Sequence, residues 1–268
     1  MPTEPDPSPP TDWGPLAARL ASVPTAMQVA ISARHLGSGS TLDHDGDRVI
    51  QSASTIKTLI LTTVAQALDA GTLSLDTDIT IRDEMRVGGS GVLNWLHDGV
   101  TLPLGDMAWL MIAISDNTAS NALIDAVGLE TIKETATDLG LTGLNLRRPF
   151  MGMLPPRETR RNEVTARGLT DLLTAIWNDT AASPERCEWM RRLHADQQHR
   201  DRLARCLPEG VTYAGKTGTL TGISHDIGVV SGTQGQVAIS VLVESTAGKY
   251  EDDAFIGSIG QAVAEVVS

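Results

Sequence analysis

The 268-residue chain has no long apolar segment, no excess of positive charge and no phosphate-binding loop. No run approaches the about 20 apolar residues of a membrane span, so a membrane-embedded protein is not expected. The formal net charge of -12 argues against nucleic acids and anionic membranes as partners, because both attract basic surfaces. The run Gly88-Gly89-Ser90-Gly91 is not followed by GKS or GKT, so it predicts a turn.

Cysteine is nearly absent, and the histidines form no metal-ligand pattern. Cys187 and Cys206 lie away from the motifs described below, which favours a reduced pair over a disulfide. Only His194 and His199 approach a ligand spacing, and no partner motif accompanies them. His225 could line a cleft, but a solvated turn is the expected location. We therefore expect neither a zinc site nor any other cofactor.

The N-terminus shows none of the features of a secretory signal. Its first ten residues are polar, acidic and rich in proline, with no basic start and no apolar segment. This composition predicts a disordered tail over residues 1–11. A chain that begins in this way is expected in the cytoplasm, although a trimmed secreted protein would show the same pattern. We expect a monomer.

Lysine is also scarce, and two of the four lysines lie in short motifs with hydroxyl residues. The sequence Ser54-Thr55-Ile56-Lys57 opens a run that is apolar on nearly every face and stops at Gly71, a pattern typical of a buried helix. Ser54 and Lys57 are expected on one face of its first turn, where an amine could take a proton from a hydroxyl. The helix N-terminus favours a neutral Lys57 and could hold an oxyanion.

This SxxK motif is weak evidence alone, because a serine near a helix start is commonly an N-cap. Two later segments strengthen it: Ser115-Asp116-Asn117 between two helical patterns, and Lys216-Thr217-Gly218 after a β-like stretch. SxxK, SDN and KTG together are a catalytic signature. Over almost its whole length the chain resembles the class A serine β-lactamases and related penicillin-recognising enzymes, whose central helices look similar to residues 91–93, 104–108 and 114–121.

The resemblance implies catalytic roles for four side chains. Ser54 would attack a carbonyl and become acylated, and Lys57 would accept its proton. Ser115 would relay a proton to the leaving group, with Lys216 nearby setting the electrostatics. Asp116 is expected to be structural and to orient a neighbouring loop through local hydrogen bonds.

The resemblance also implies a substrate-binding set. Asn117 would hydrogen-bond the side-chain amide of the substrate. Thr217, together with the lysine before it, would bind a carboxylate, and Gly218 follows in the same strand. Backbone N–H groups of Ser54 and Thr219 would form the oxyanion hole.

One loop departs from the class A pattern. Those enzymes carry there, in an ExxLN pattern, a glutamate that activates the deacylating water. Here the corresponding loop spans residues 147–161, and its first part, residues 147–153, reads RRPFMGM with no carboxylate. Glu158 and Glu163 come too late and are expected to pair on the surface with Arg157, Arg160 and Arg161. We therefore expect intact acylation but not the usual hydrolytic base.

Hydrophobic periodicity and glycine punctuation predict the elements of the fold. Helices are predicted over residues 13–20, 54–68, 107–114, 119–127, 130–139, 166–177 and 254–267, and strands over 27–33, 40–42, 213–218, 227–231 and 237–244. The expected fold class is α/β (α+β) and β-lactamase-like, with an antiparallel sheet flanked by helices, an all-helical domain, and the active site between them. Residues 12–50 and 208–268 are expected to form the sheet domain, and residues 51–207 the helical domain.

The leading functional hypothesis is an enzyme of specialised metabolism that forms acyl-Ser54 from an amide, ester or lactam. It would pass the acyl group to water or to an amine or alcohol acceptor, so only small-molecule partners are expected. The first alternative is a genuine β-lactamase, of full or weak activity, that hydrolyses β-lactams and in which another residue or Lys57 drives deacylation. The second is a module that binds β-lactams or acyl groups without turnover. A D-alanyl carboxypeptidase is disfavoured, because its peptidoglycan substrate lies outside the membrane.

Overall fold

A computed structural model describes residues 11–150 and 161–268 of the chain. Its helices are α1 (Gly14–Leu20), α2 (Lys57–Asp69), α3 (Leu104–Ala113), α4 (Asn117–Val127), α5 (Leu129–Asp138), α6 (Ala166–Trp177), α7 (Pro184–Ala195) and α8 (Lys249–Val267). Its strands are β1 (Met27–His35), β2 (Thr41–His44), β3 (Ile50–Gln51), β4 (Asp78–Ile81), β5 (Val100–Pro103), β6 (Glu163–Val164), β7 (Thr212–Leu220), β8 (Ile223–Gly232) and β9 (Gly235–Ser245). Within these ranges, no helix combines the length and the apolar character that crossing a membrane requires.

The main sheet has five antiparallel strands in the order β2-β1-β9-β8-β7. Strand β1 pairs with β9 from Met27 opposite Ser245 to His35 opposite Val237. Segments from the first and last parts of the sequence therefore lie side by side in one sheet. Strand β7, which carries the KTG motif, is left at an edge of the sheet. The predicted antiparallel sheet with flanking helices is confirmed.

The two faces of the sheet pack against different helices. Because successive side chains of a strand point to opposite faces, β1 supplies both cores. Val29 and Ile31 belong to the core beneath α1 and α8, together with Phe255 and Ile259. Ala30 belongs to the larger core on the opposite face. There α6 packs against the sheet, and helices α2 to α5 and α7 contribute to the same core. The division of the chain into a sheet domain and a helical domain stays a prediction.

Helix α2 is the centre of the helical region and is buried along almost its whole length. It packs against α3, α4, α5 and α7, as its all-round apolar pattern predicts. Gly71 follows its end with a φ of 68°, the left-handed conformation expected there. The predicted start at Ser54 is wrong, because the helix begins at Lys57. The preceding residues form tighter turns, in which the Lys57 N–H donates to the Ser54 carbonyl at 3.2 Å.

Other differences from the predicted elements concern short strands and element ends. The small sheets β3-β6 and β4-β5 are not predicted, because strands of two to four residues leave almost no periodic pattern. Helix α8 begins at Lys249 rather than at residue 254, whereas α6 has the predicted bounds. Cys187 is buried, Cys206 is exposed, and both are free thiols. The predicted disordered tail, apart from residue 11, lies outside the described residues, as does the loop segment 151–160.

Candidate active site

Ser54 lies just before α2, and the edge strand β7 passes directly beside it. A Cβ atom placed on Gly218 would lie 3.0 Å from the backbone nitrogen of Ser54 and 3.0 Å from the Cβ atom of Ala53. Glycine therefore permits the close approach of the two motifs. Ala53 itself has a φ of 46°, a left-handed conformation that is costly for a residue with a side chain. Strain of this kind is concentrated at functional sites in proteins.

Lys57 is completely buried, and its amine meets the SDN segment. Its Nζ atom lies 2.8 Å from the carbonyl oxygen of Ser115, 3.2 Å from Ser115 Oγ and 2.9 Å from Asn117 Oδ1. Burial lowers the pKa of Lys57 well below its usual value, the charge of Lys216 lowers it further, and Asp116 opposes both. These effects favour the neutral amine, which is the form that can accept a proton.

The lone pair of a neutral Lys57 has one suitable partner among these three contacts. The carbonyl of Ser115 can only accept, and Asn117 presents its Oδ1 because its Nδ2 donates to the Gly88 carbonyl at 3.0 Å. The remaining contact, Ser115 Oγ, is a hydroxyl that can donate a proton. Within residues 11–150 and 161–268, no hydrogen bond joins the side-chain amine of Lys57 to the hydroxyl of Ser54. The structure thus connects Lys57 to Ser115 directly, and Ser54 lines the same cavity as Ser115.

The SDN segment is held by Asp116. Its Oδ2 accepts hydrogen bonds from the N–H groups of Val92 at 2.7 Å and Leu93 at 2.9 Å. Its Oδ1 caps the start of α4. Gly91 approaches so closely that a Cβ atom there would be 2.2 Å from the Asp116 carboxyl group. The predicted structural role of Asp116 is confirmed, because its carboxylate fixes the backbone of Val92 and Leu93 against the SDN segment.

Lys216 is the second buried amine of the site. Burial lowers its pKa to about 7, Asp226 on the neighbouring strand raises it, and Arg202 lowers it. Burial also raises the pKa of Asp226 to about 6, against the hydrogen bond that its carboxylate accepts from the Tyr213 hydroxyl. Lys216 is therefore a positive charge that is partly titrated near neutral pH.

Arg202 is a site residue that the sequence did not indicate. It is only 1% exposed, and its Nε donates to Asp253 at 2.6 Å. Its Nη1 donates to the Gly218 carbonyl at 2.9 Å, and its Nη2 donates to Thr219 Oγ1 at 2.7 Å. Arg202 thus fixes the part of β7 that follows the KTG lysine. An arginine in an irregular segment after α7 carries no sequence pattern that would reveal this position.

The expected location of His225 in a solvated turn is wrong, and it does not line the cleft either. The residue is fully buried in β8, where its Nδ1 accepts from the Val243 N–H at 3.1 Å and its Nε2 donates to the Gln51 carbonyl at 3.0 Å. Burial lowers its pKa to about 4, so the ring is neutral. A buried histidine with both nitrogens satisfied is not distinguishable in sequence from an exposed one.

Phe150 occupies the loop position that faces Lys57. Its ring centroid lies 4.6 Å from Lys57 Nζ, and the residue is 8% exposed. Asn121 fixes its backbone twice, because Oδ1 accepts from the Phe150 N–H at 2.8 Å and Nδ2 donates to the Phe150 carbonyl at 3.0 Å. Asn162 Oδ1 accepts from the N–H groups of Arg147 and Arg148 and closes the base of the loop. At this position an aromatic ring, and not a carboxylate, contacts the amine.

The expected partners of Glu163 are different in the structure. Glu163 pairs with Arg147 at 2.9 Å, and Arg161 donates to Gln51 at 3.3 Å. The pairing predicted with Arg161 is therefore wrong, because β6 places Glu163 beside the first residues of the loop. Glu158, Arg157 and Arg160 lie outside the described residues.

Comparisons with known proteins agree with this geometry. The model of the beta-lactamase enzyme family matches residues 15–267. The chain belongs to this family. A β-lactamase of Sphaerobacter thermophilus DSM 20745 has a similar crystal structure, with 35% identity and a TM-score of 0.89 over 95% of this chain and 97% of that one. The similarity to class A β-lactamases, inferred from the three motifs, is confirmed.

Two further relatives of the family widen the functional range. The L158E mutant of PBP-A, solved as an acyl-enzyme complex with penicillin G, is 26% identical, with a TM-score of 0.86 over 96% of this chain and 98% of that one. The β-lactamase regulatory protein BlaB of Streptomyces cacaoi is 26% identical over 259 residues, covering 79% of this chain and 83% of that protein. The family match and these relatives show that the chain is a serine acyl-transfer enzyme of the β-lactamase and PBP-A type.

Two cavities meet at Ser54. The first has a volume of about 230 Å³ and is lined by Ser54, Ser90, Ser115, His199, Asp201, Arg202, Thr217, Thr219 and Lys249. The second has a volume of about 300 Å³, and its walls include Phe150, Arg148, Asn117, Asn162 and Leu220. The motif residues Asn117 and Thr217 therefore face different cavities. Within the described ranges, no cluster of histidine, cysteine, aspartate and glutamate could hold a metal ion.

Proposed function

We propose that the protein forms a long-lived acyl-Ser54 intermediate and transfers the acyl group to an amine or alcohol acceptor more readily than to water. The observation that carries this proposal is the Phe150 ring, 4.6 Å from Lys57 Nζ. A class A enzyme is expected to hold its water-activating glutamate in this loop. A hydrocarbon ring can neither orient a water molecule nor accept its proton.

The proposed acylation uses the contacts on the other side of Lys57. Ser54 attacks the carbonyl of the donor, and its proton passes to the Lys57 amine, directly or through the Ser115 hydroxyl that lies 3.2 Å from Nζ. Ser115 then returns a proton to the leaving group. The N–H groups of Ser54 and Thr219 bind the oxyanion, an interaction worth about 2.7–4 kcal/mol per donor.

The proposed donor carries a carboxylate on one side and an acyl side chain on the other. Thr217, which lines the first cavity together with Arg202, would bind the carboxylate there, supported by the charge of the preceding Lys216. Asn117 would bind the amide of the acyl side chain in the second cavity, beside Gly218 and Thr219 of the edge strand. An edge strand offers free backbone groups to an extended ligand.

The preference for an acceptor other than water follows from the chemistry of discharge. Loss of a positioned general base typically slows proton transfer by about 10²-fold to 10⁴-fold. An amine is a far stronger nucleophile than water, and binding can supply its proximity to the ester. An amine therefore needs less help from a base than water does.

A β-lactamase is the second candidate, supported by the 35% identity to the Sphaerobacter thermophilus β-lactamase. It requires a deacylating base other than a residue at position 150. Under this alternative, β-lactams would be hydrolysed with rapid turnover and no acyl-enzyme would accumulate.

Replacement of Phe150 by glutamate tests the proposal. Asn121 holds the backbone of residue 150, so the new carboxylate is expected to face Lys57 as the ring does. We expect Phe150→Glu to hydrolyse a reactive β-lactam about 10²-fold faster than the wild type. Phe150→Gln is the matched control, because glutamine has nearly the same shape as glutamate but carries no basic carboxylate. Equal hydrolysis rates for the Glu and Gln variants, or rapid hydrolysis by the wild type, would contradict the proposal.

A further inference from the structure

The two cavities beside Ser54 differ in the bases that they offer. The only ionisable side chain that lines the second cavity, among the described residues, is Arg148, and a guanidinium does not act as a base in proteins. The first cavity is lined by His199 and Asp201, in addition to Arg202 and Lys249. A base that could serve an incoming nucleophile is therefore found on one side of Ser54.

Asp201 is a poor choice for this base. Its carboxylate accepts a hydrogen bond from Lys249 Nζ at 2.8 Å. Burial raises the pKa of Asp201, but the hydrogen bond and the charge of Lys249 outweigh it, and the net pKa is lowered. Lys249 also pairs with Asp253, which binds Arg202 in turn. These ion pairs hold the charged side chains of the first cavity in place. The neutral titratable side chain that remains in this cavity is His199.

His199 has the properties of a base. It lies in the irregular segment between α7 and β7, where its backbone N–H donates to Gln197 Oε1 at 3.0 Å. Burial lowers the pKa of His199, the charges of Lys216 and Arg202 act in the same direction, and the Ile114 carbonyl and Asp201 oppose them. The ring is therefore neutral at pH 7. A neutral imidazole has one ring nitrogen without a proton, and that nitrogen can accept one.

We infer that the acceptor that discharges acyl-Ser54 enters through the first cavity, and that His199 takes its proton. This inference rests on the proposed function and specifies how its second half occurs. Phe150 closes the side of Lys57 from which a loop carboxylate would act, whereas Ser54, Ser115 and His199 line one continuous space. No sequence motif marks His199, which follows α7 in a stretch without periodicity.

The proposed discharge balances as an ordinary acyl transfer. The nitrogen or oxygen of the acceptor forms a bond to the ester carbonyl carbon, and its proton passes to the free nitrogen of His199. The tetrahedral intermediate collapses, and the bond between the carbonyl carbon and Ser54 Oγ breaks. The proton then passes from His199 to Ser54 Oγ, directly or through Ser115, so that the free enzyme is restored.

The test separates the two half-reactions. A reactive β-lactam or an activated ester labels the protein, and intact-protein mass spectrometry follows the rise and the decay of the adduct, with and without an added primary amine. We expect His199→Ala to label within about 2-fold of the wild-type rate but to discharge about 10²-fold more slowly. Imidazole in the buffer should restore discharge by filling the vacated space. His44→Ala, on the exposed strand β2, is the matched control and should behave as the wild type does.

The dependence of discharge on pH provides a second readout. Discharge by the wild type should fall as the pH drops through the lowered pKa of His199 and the ring becomes protonated, and this decline should be missing in His199→Ala. Lys216, with a pKa of about 7, precedes the cavity residue Thr217 in β7 and should leave its own dependence in both proteins. Unchanged discharge in His199→Ala, or slower labelling to the same extent as slower discharge, would overturn the inference. Failure of the wild type to form any adduct would instead overturn the proposed function, and this inference with it.

Discussion

Replacement of Gly218 by alanine tests whether the contact between β7 and Ser54 determines the rate of acylation. The added Cβ atom would lie 3.0 Å from Ser54 N, 3.0 Å from Ala53 Cβ and 3.1 Å from Thr55 Cγ2. Carbon atoms pack best at about 3.5–4.0 Å, so the strand must move away by roughly half an ångström. All three neighbours belong to the turns immediately before α2, and none is the end of a long flexible side chain.

The expected effect follows from the position of Thr219, the next residue of β7. A shift of the strand carries the Thr219 N–H away from the proposed oxyanion. Loss of one such donor costs about 10²-fold to 10³-fold in rate, and a displacement of about 1 Å costs roughly 10²-fold. We therefore expect Gly218→Ala to acylate about 10²-fold more slowly than the wild type, with little change in Tm.

The assay is the single-turnover rate of adduct formation at saturating acyl donor. Gly105→Ala is the control, because a Cβ atom there would meet its nearest neighbour at an ordinary 3.5 Å. It should acylate normally. Wild-type acylation by Gly218→Ala, in a protein that folds normally, would refute the assignment of the oxyanion hole to this contact.

Two further predictions concern the buried lysines. Lys57→Ala should acylate about 10²-fold more slowly, because the general base is lost, while Lys133→Ala on the surface should not; equal rates for both variants would identify another base. Lys216→Met should be more stable than the wild type, because burial lowers the folded-state pKa of Lys216 from its ordinary 10.5 to about 7. The cost of burying this charge is complete below pH 7 and declines as the pH rises from 7 towards 10.5, so thermal unfolding should show the largest difference in Tm at acidic pH. A difference in Tm that grows with pH would contradict this assignment.

The sequence predicts much of the fold because its strongest signals are long and regular. Helix α6 and the strands β7 to β9 have several turns or alternations of pattern, and their existence is predicted without tertiary information. The start of α2 is not predicted, because the helical pattern cannot show that Ala53 has a left-handed conformation and that tight turns precede Lys57. The shortest strands have too few residues to establish a period.

The residues of the candidate site also fall into those that the sequence predicts and those that it does not. Motif residues such as Ser54 and Lys216 are recognisable because their chemistry requires fixed types at fixed spacings. Arg202, His199 and Asp226 are not recognisable, because they reach the site from irregular segments or from a neighbouring strand. Their positions depend on tertiary contacts, as the buried hydrogen bonds of Arg202 illustrate.

The most direct test of the central claim is the location and lifetime of the adduct on the wild-type protein. After a brief exposure to a reactive β-lactam, peptide mapping should find the added mass on Ser54, and intact-protein mass spectrometry should show that it persists for minutes in buffer. An amine acceptor should remove it faster, and Ser54→Ala should not be labelled. Rapid return to the unmodified mass in water alone, or an adduct of full stoichiometry that survives in Ser54→Ala, would contradict the account.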